Sequence, residues 1–357
     1  MISLLFILVL VISCECCPDK CVCSSQTVKC QNQDLDAIPH SLPDNTKILF
    51  VTGNIISNIS VKSFPVCLEL LTELYLSGNE VEFVDDLVFD NLPNLVRLDL
   101  SNNKIQTFGE NAFPDDNKLQ VLNLSRSFHK QNHSLNVALS FLQKGNLHQL
   151  SVLDLSNNDL VFLPDNMFTS LSNLLNLSLR NSSIISIQNG TLKVPRLRDL
   201  DLRDNSLTAL PDTTLAELSL KPDLRIRLGG NPWRCNCFID DMVAWLKNST
   251  QVVDMQNLTC ADPEGLRHQP LLQVQQPLLK CFSDMDGVLE TSYVFLGLVL
   301  ALIGVVFLLV LYLNRKGIKR WMYNIRDACR DHMEGYHYRY EINSDPRLAN
   351  LSINSDV

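Results

Sequence analysis

The chain has 357 residues, with 30 Lys and Arg against 39 Asp and Glu and a formal charge of −9. Residues 315–357 carry eight basic and six acidic side chains, so the rest of the chain holds −11, which argues against nucleic acid as a partner. Twelve cysteines point to an oxidising compartment.

Residues 1–16 read as a signal peptide. Positions 4–12 form an unbroken apolar run of the right length for its hydrophobic region and too short to cross a bilayer. An uncleaved anchor is the alternative, and the small residues near Ser13 do not choose a cleavage site. Cys17, Cys21, Cys23 and Cys30 follow as C-x3-C-x-C-x6-C within a cysteine-rich segment, 17–45. Spacing alone leaves three connectivities, and a zinc site is the rival reading.

Residues 46–230 are repetitive, and 95–113, LVRLDLSNNKIQTFGENAF, is the clearest copy. Leu95, Leu98, Leu100, Asn103, Ile105, Phe108 and Phe113 fall on the template LxxLxLxxNxLxxLxxxxF of leucine-rich repeats. Leu98 and Leu100 alternate as a short strand with one face inward, and one such unit has nothing to bury against until neighbours stack on it. The predicted fold is therefore an α/β-type leucine-rich-repeat solenoid with a parallel β-sheet on its concave face. Its open ends would expose core, so the cysteine cluster at 17–45 reads as a cap.

Repeats begin at 46, 71, 95, 119, 150, 174, 197 and 223. Six carry asparagine at the turn (Asn54, Asn79, Asn103, Asn158, Asn205, Asn231), where its amide can satisfy backbone groups that would otherwise be buried unpaired. Ser127 and Ser182 replace it in the other two, and a hydroxyl can satisfy only part of the same turn. The step of 31 residues from Leu119 to Leu150 contains an insertion near 128–147 that is expected to interrupt the stack. His129 and His133 in it stand at i, i+4 without an acidic or cysteine partner nearby, which favours solvated histidines over a metal site.

NPWRCNC at 231–237, then Trp245, Cys260 and Cys281, mark a second cysteine-rich cap, 231–282, in which Trp233 and Trp245 are expected to form a small core of their own. Cys67 lies in apolar FPVCLELL and reads as a buried free thiol, with a bond to Cys16 or to another chain as the alternative.

Eight N-x-S/T sequons, at Asn58, Asn123, Asn132, Asn176, Asn181, Asn189, Asn248 and Asn257, imply a glycoprotein. The third, fifth and seventh residues of each repeat face the concave side. This puts Asn123 and Asn176 on the inner surface of the middle repeats and leaves the N-terminal part free of sequons. There Phe50, Glu73, Tyr75, Arg97 and Asp99 combine two aromatics with opposite charges and form the candidate ligand-binding patch.

After a juxtamembrane linker, 283–292, residues 293–313 are uncharged and at about 1.5 Å per residue reach roughly 31 Å, enough to cross the hydrocarbon core. Arg315, Lys316, Lys319 and Arg320 follow and place the C-terminus in the cytoplasm by the positive-inside rule. The tail, 314–357, reads as short and disordered. It ends in Ser355, Asp356 and Val357, the form that a cytosolic PDZ domain captures as an added strand.

No motif for a catalytic nucleophile, metalloprotease, phosphate loop or dinucleotide emerges, so neither enzymatic activity nor a cofactor is expected. From Thr291 onward, TSYVFLGLVLALIG, YLNRKGIKRWMYNIRDACRDHMEGYHYRYEINSDPRL and the terminal NSDV resemble the span and tail of the trophoblast glycoprotein (Wnt-activated inhibitory factor) family, and NPWRCNC, DMVAWLK and LTCADPE extend the likeness through the cap. The resemblance implies the pairs Cys17 to Cys23, Cys21 to Cys30, Cys235 to Cys260 and Cys237 to Cys281. It also implies a single-pass plasma-membrane glycoprotein that inhibits β-catenin-dependent Wnt signalling through the Wnt co-receptor or another surface protein of that pathway. A cell-adhesion or neuronal-patterning receptor with a different protein ligand is the alternative.

Overall fold

The structure is a computed structural model and describes residues 17–128, 138–274 and 285–344. The chain divides into two units, Met1–Cys281 and Phe282–Val357. In the first, ten strands form one sheet. It starts as a hairpin, with Val22–Ser24 antiparallel to Thr27–Lys29. Every later neighbour is parallel, through Ile48–Phe50, Glu73–Tyr75, Arg97–Asp99, Val121–Asn123, Val152–Asp154, Asn176–Ser178, Asp199–Asp201 and Arg225–Arg227.

Each parallel strand has three residues and sends its central one inward. Leu49, Leu74, Leu98, Leu122, Leu153, Leu177, Leu200 and Ile226 are in register across the sheet and buried in one core that runs through the unit. Strand neighbours on either side point outward because side chains alternate. The convex return holds a small parallel sheet, Asn58–Ile59, Phe83–Val84 and Thr107–Phe108. An α-helix, Asp212–Ser219, stands in the last turn of the array.

The turn asparagines join consecutive repeats. Asn103 donates to the carbonyls of Leu76 at 3.1 Å and Leu100 at 2.7 Å and accepts from the Val81 amide at 3.1 Å. Ser127 supplies only the donating half, to Leu100 at 2.7 Å, and the Ile105 amide turns to the Ser127 carbonyl instead.

The insertion does not interrupt the stack. Val121–Asn123 pairs directly with Val152–Asp154, and the Leu124 and Arg126 amides reach the Asp154 and Ser156 carbonyls. Its second half folds under the convex side. Ala138, Leu139, Phe141 and Leu142 are buried, and the Phe141 ring stacks on Phe108 at 4.1 Å beside Phe113. Extra length is absorbed there because a loop on the convex side can lengthen without changing strand spacing. His129, Asn132 and His133 lie outside the described residues.

The C-terminal cap is likewise part of the solenoid core. Trp233 is fully buried in that core, while Trp245 sits at its margin and donates to the Ser219 hydroxyl at 3.1 Å. Helix Asp240–Asn248 buries Met242, Val243 and Leu246. The cap also closes the sheet edge: Ile226 bridges to Val252, and Asp254 accepts the Leu228 amide that a further repeat would otherwise take, together with the Gly229 amide beside it.

Cys17 is bonded to Cys23, Cys21 to Cys30 and Cys235 to Cys260. Cys237 is in a disulfide, and Cys281, which the resemblance pairs with it, lies outside the described residues. Cys67 is free but exposed rather than buried, because its segment crosses the convex surface where Val66 and Leu70 also face solvent.

In the second unit, helix Met285–Leu313 takes in most of the stretch that reads as a linker, and Phe295–Leu313 is apolar and long enough to cross a membrane. The tail is not disordered over its first part: Arg315–Ser344 is helical. Ile318, Trp321, Met322, Ile325 and Cys329 recur at helical spacing, a pattern that favours helix wherever the apolar side can be covered. Ser355, Asp356 and Val357 lie outside the described residues.

Candidate functional site

Stacking places the fifth residues of successive repeats side by side on the concave face: Phe50 pairs with Tyr75, Tyr75 with Asp99 and Asp99 with Asn123. Phe50 and Tyr75 stack with ring centroids 4.5 Å apart and planes 10° from parallel. The Tyr75 hydroxyl donates to Glu73 at 2.6 Å, and Arg97 Nε lies 3.8 Å from the same carboxylate. Asp99 turns one oxygen to the Ser101 amide at 2.8 Å. All five residues chosen from the sequence are thus neighbours on one surface.

Their electrostatics favour recognition over chemistry. Burial, the hydrogen bond to Glu73 and the surrounding negative charge push the Tyr75 phenol up to about 12, so it stays a neutral donor. The ion pair is half-exposed and can exchange partners with an incoming ligand at little cost. Sequence reasoning missed Lys29, whose ammonium lies over the Phe50 ring at 5.6 Å. It precedes the first repeat, and only its pairing opposite Phe50 could have revealed it.

Further along, a hollow of about 320 Å³ opens among Asp154, Asn176, Ser178, Asp199, Asp201 and Arg227. Its charges are internally matched, with Arg203 2.5 Å from Asp201, and Arg227 and Arg225 3.7 and 3.8 Å from Asp199. Burial raises the Asp201 carboxyl, but the Arg203 bonds and charge outweigh it and hold the group below its ordinary value. Asn176 is exposed at the hollow's edge, and Asn123 is half-buried between the hollow and the patch. Of the other sequons, Asn58, Asn181, Asn189, Asn248 and Asn257 are exposed. Among the described residues no group of three or more His, Cys, Asp or Glu converges as a metal site would require.

A leucine-rich-repeat profile matches residues 69–127 and 148–207. Human trophoblast glycoprotein is 44% identical over 360 residues, covering 96% of this chain and 86% of its own length, and the mouse protein is 45% identical over 367 residues with the same coverage. The chain belongs to the trophoblast glycoprotein family. The crystal structure of human trophoblast glycoprotein, also named Wnt-activated inhibitory factor 1, matches with a TM-score of 0.69 and 35% identity over 74% of this chain and 99% of that one.

Trophoblast glycoproteins are non-enzymatic surface proteins, and this chain is a cell-surface leucine-rich-repeat glycoprotein. Its apolar helix and its relatives fit a single-pass membrane protein.

Proposed function

We propose that the chain inhibits β-catenin-dependent Wnt signalling from the plasma membrane, acting on the Wnt co-receptor or another surface component of the pathway and on its internalisation. The observation that carries this reading is the likeness, along nearly the whole ectodomain, to a solved protein named as a Wnt-activated inhibitory factor.

The concave surface adds a location. Sugars on Asn123 and Asn176 would crowd the middle of that face, leaving Phe50, Glu73, Tyr75, Arg97 and Asp99, with Lys29, as its open end. Stacked aromatics ringed by charges of both signs are the kind of surface on which a few residues dominate binding. In the cytosol, Ser355, Asp356 and Val357 engage a PDZ protein that sets surface residence.

The test is a β-catenin-dependent reporter in Wnt-stimulated cells expressing the full chain, with surface level and co-receptor uptake read together. Suppressed output with altered uptake supports the reading. Normal output at good surface expression rejects it and favours an adhesion receptor with another ligand. In the same cells, removal of Val357 is expected to abolish PDZ capture while leaving the ectodomain's effect per surface molecule intact.

A further inference from the structure

The cytoplasmic helix Arg315–Ser344 starts two residues beyond the end of the membrane-spanning helix, and the backbone runs between them without a gap in hydrogen bonding, Asn314 to Val310 at 2.9 Å and Ile318 to Asn314 at 3.0 Å. Residues 315–330 hold six Lys and Arg against one Asp, a net +5 in a chain that is otherwise acidic. Asp327 is itself paired to Arg330 at 3.5 Å. Ile318, Trp321, Met322, Ile325 and Cys329, spaced by three or four residues, share one side of this helix, and Arg315, Lys319, Arg326 and Arg330 line the flank beside it.

The apolar side has no cover among the described residues. Trp321 is 64% exposed, Met322 60% and Ile325 42%. A tryptophan and a row of aliphatic groups bordered by cations is the composition of a helix that lies in a lipid interface. Two features select the membrane over a protein groove. The segment is tethered directly to a span, so the bilayer is within reach before any other partner. Its charge is also opposite to that of the anionic inner leaflet, whose attraction for basic side chains falls off within about 10 Å of the surface.

We propose that residues 315–330 form a second membrane-binding element that folds down onto an anionic lipid surface, with Trp321, Met322 and Ile325 in the headgroup and upper acyl layer and the lysines and arginines on lipid phosphates. The bend falls at Asn314 and Gly317, where glycine weakens the helix most.

The experiment reconstitutes the full chain in nanodiscs of brominated phosphatidylcholine, with or without roughly 30% phosphatidylserine. It measures the quenching of Trp321 as the difference between the wild-type chain and Trp321→Phe, since the other two tryptophans, Trp233 and Trp245, are in the ectodomain. Quenching about threefold or more stronger in the anionic discs, returned to the neutral-disc level by Arg326→Glu with Arg330→Glu, is expected. These two charges lie beyond the residues that orient the span, so the variant inserts as the wild type does. Met322→Glu with Ile325→Glu is expected to abolish quenching in both discs. Absence of quenching in both compositions overturns the proposal, as does equal quenching in both. A blue shift of Trp321 on adding calcium-loaded calmodulin to discs in which it is unquenched overturns it too, and assigns the face to a protein groove.

Discussion

Asn103 and Ser127 do the same work to different extents, and the difference is measurable. Replacing Asn103 with alanine strands the buried Val81 amide, at roughly 1 to 3 kcal/mol, and takes one of two donors from each of the Leu76 and Leu100 carbonyls, which keep Asn79 and Ser127. Ser127→Ala strands less, because the backbone has already taken over the Ile105 amide. Asn103→Ala is therefore expected to lower the ectodomain's Tm by clearly more than Ser127→Ala in thermal melts at matched concentration. Tyr75 offers a second test, since it is the sole tyrosine before residue 293. An ultraviolet difference titration of the ectodomain should show one phenol ionising near pH 12 rather than at the ordinary tyrosine value of 10.0. Its raised value means that the neutral phenol stabilises the fold below pH 10.0, a contribution lost as pH climbs through 12. Glu73→Gln should bring the midpoint down. Asn103 is legible in the sequence because one residue type recurs at one spacing. Lys29 over Phe50 is not, because Lys29 lies in the antiparallel hairpin that precedes the repeats and falls outside their period.

At the level of elements, the insertion and the C-terminal cap both add to the core. Phe141 stacks on Phe108 and lies beside Phe113, continuing a row that runs from Phe64 through Phe89. Truncating it to alanine should cost about 3 to 5 kcal/mol, the range for a buried phenylalanine, and reduce surface expression. A loop that merely interrupted the stack would tolerate the change. Opening Cys235 to Cys260 by double serine substitution should cost about 2 to 5 kcal/mol, read by denaturant unfolding under oxidising conditions. That the insertion packs rather than parts the repeats could not be read from its composition. Its apolar residues suit a helix, a lid or a core equally until the strands before and after it are seen to pair.

For the molecule as a whole, the proposed ligand patch and the apolar span belong to opposite ends of the sequence. Tyr75→Ala with Arg97→Ala is expected to weaken Wnt inhibition several-fold at unchanged surface level, as loss of a central aromatic anchor does. Unchanged inhibition would remove the N-terminal patch from consideration. Asn176→Gln tests the other half of the surface: removing that sugar should leave inhibition intact if the open end is the one used, whereas a gain would draw the ligand toward the hollow.

Part of this fold is written in local spacing and can be read without coordinates. The inward leucines, the parallel sheet, the turn asparagines and the apolar span each depend on residues a few positions apart, whose geometry the backbone period dictates. Which distant side chains meet is set by the packed fold. Lys29 reaches Phe50, Phe141 reaches Phe108 and Asp254 closes the last strand, all across sequence gaps of more than twenty residues. Those contacts follow from stacking register, which the repeats set jointly and no single repeat encodes, because each buries its apolar face only against its neighbours.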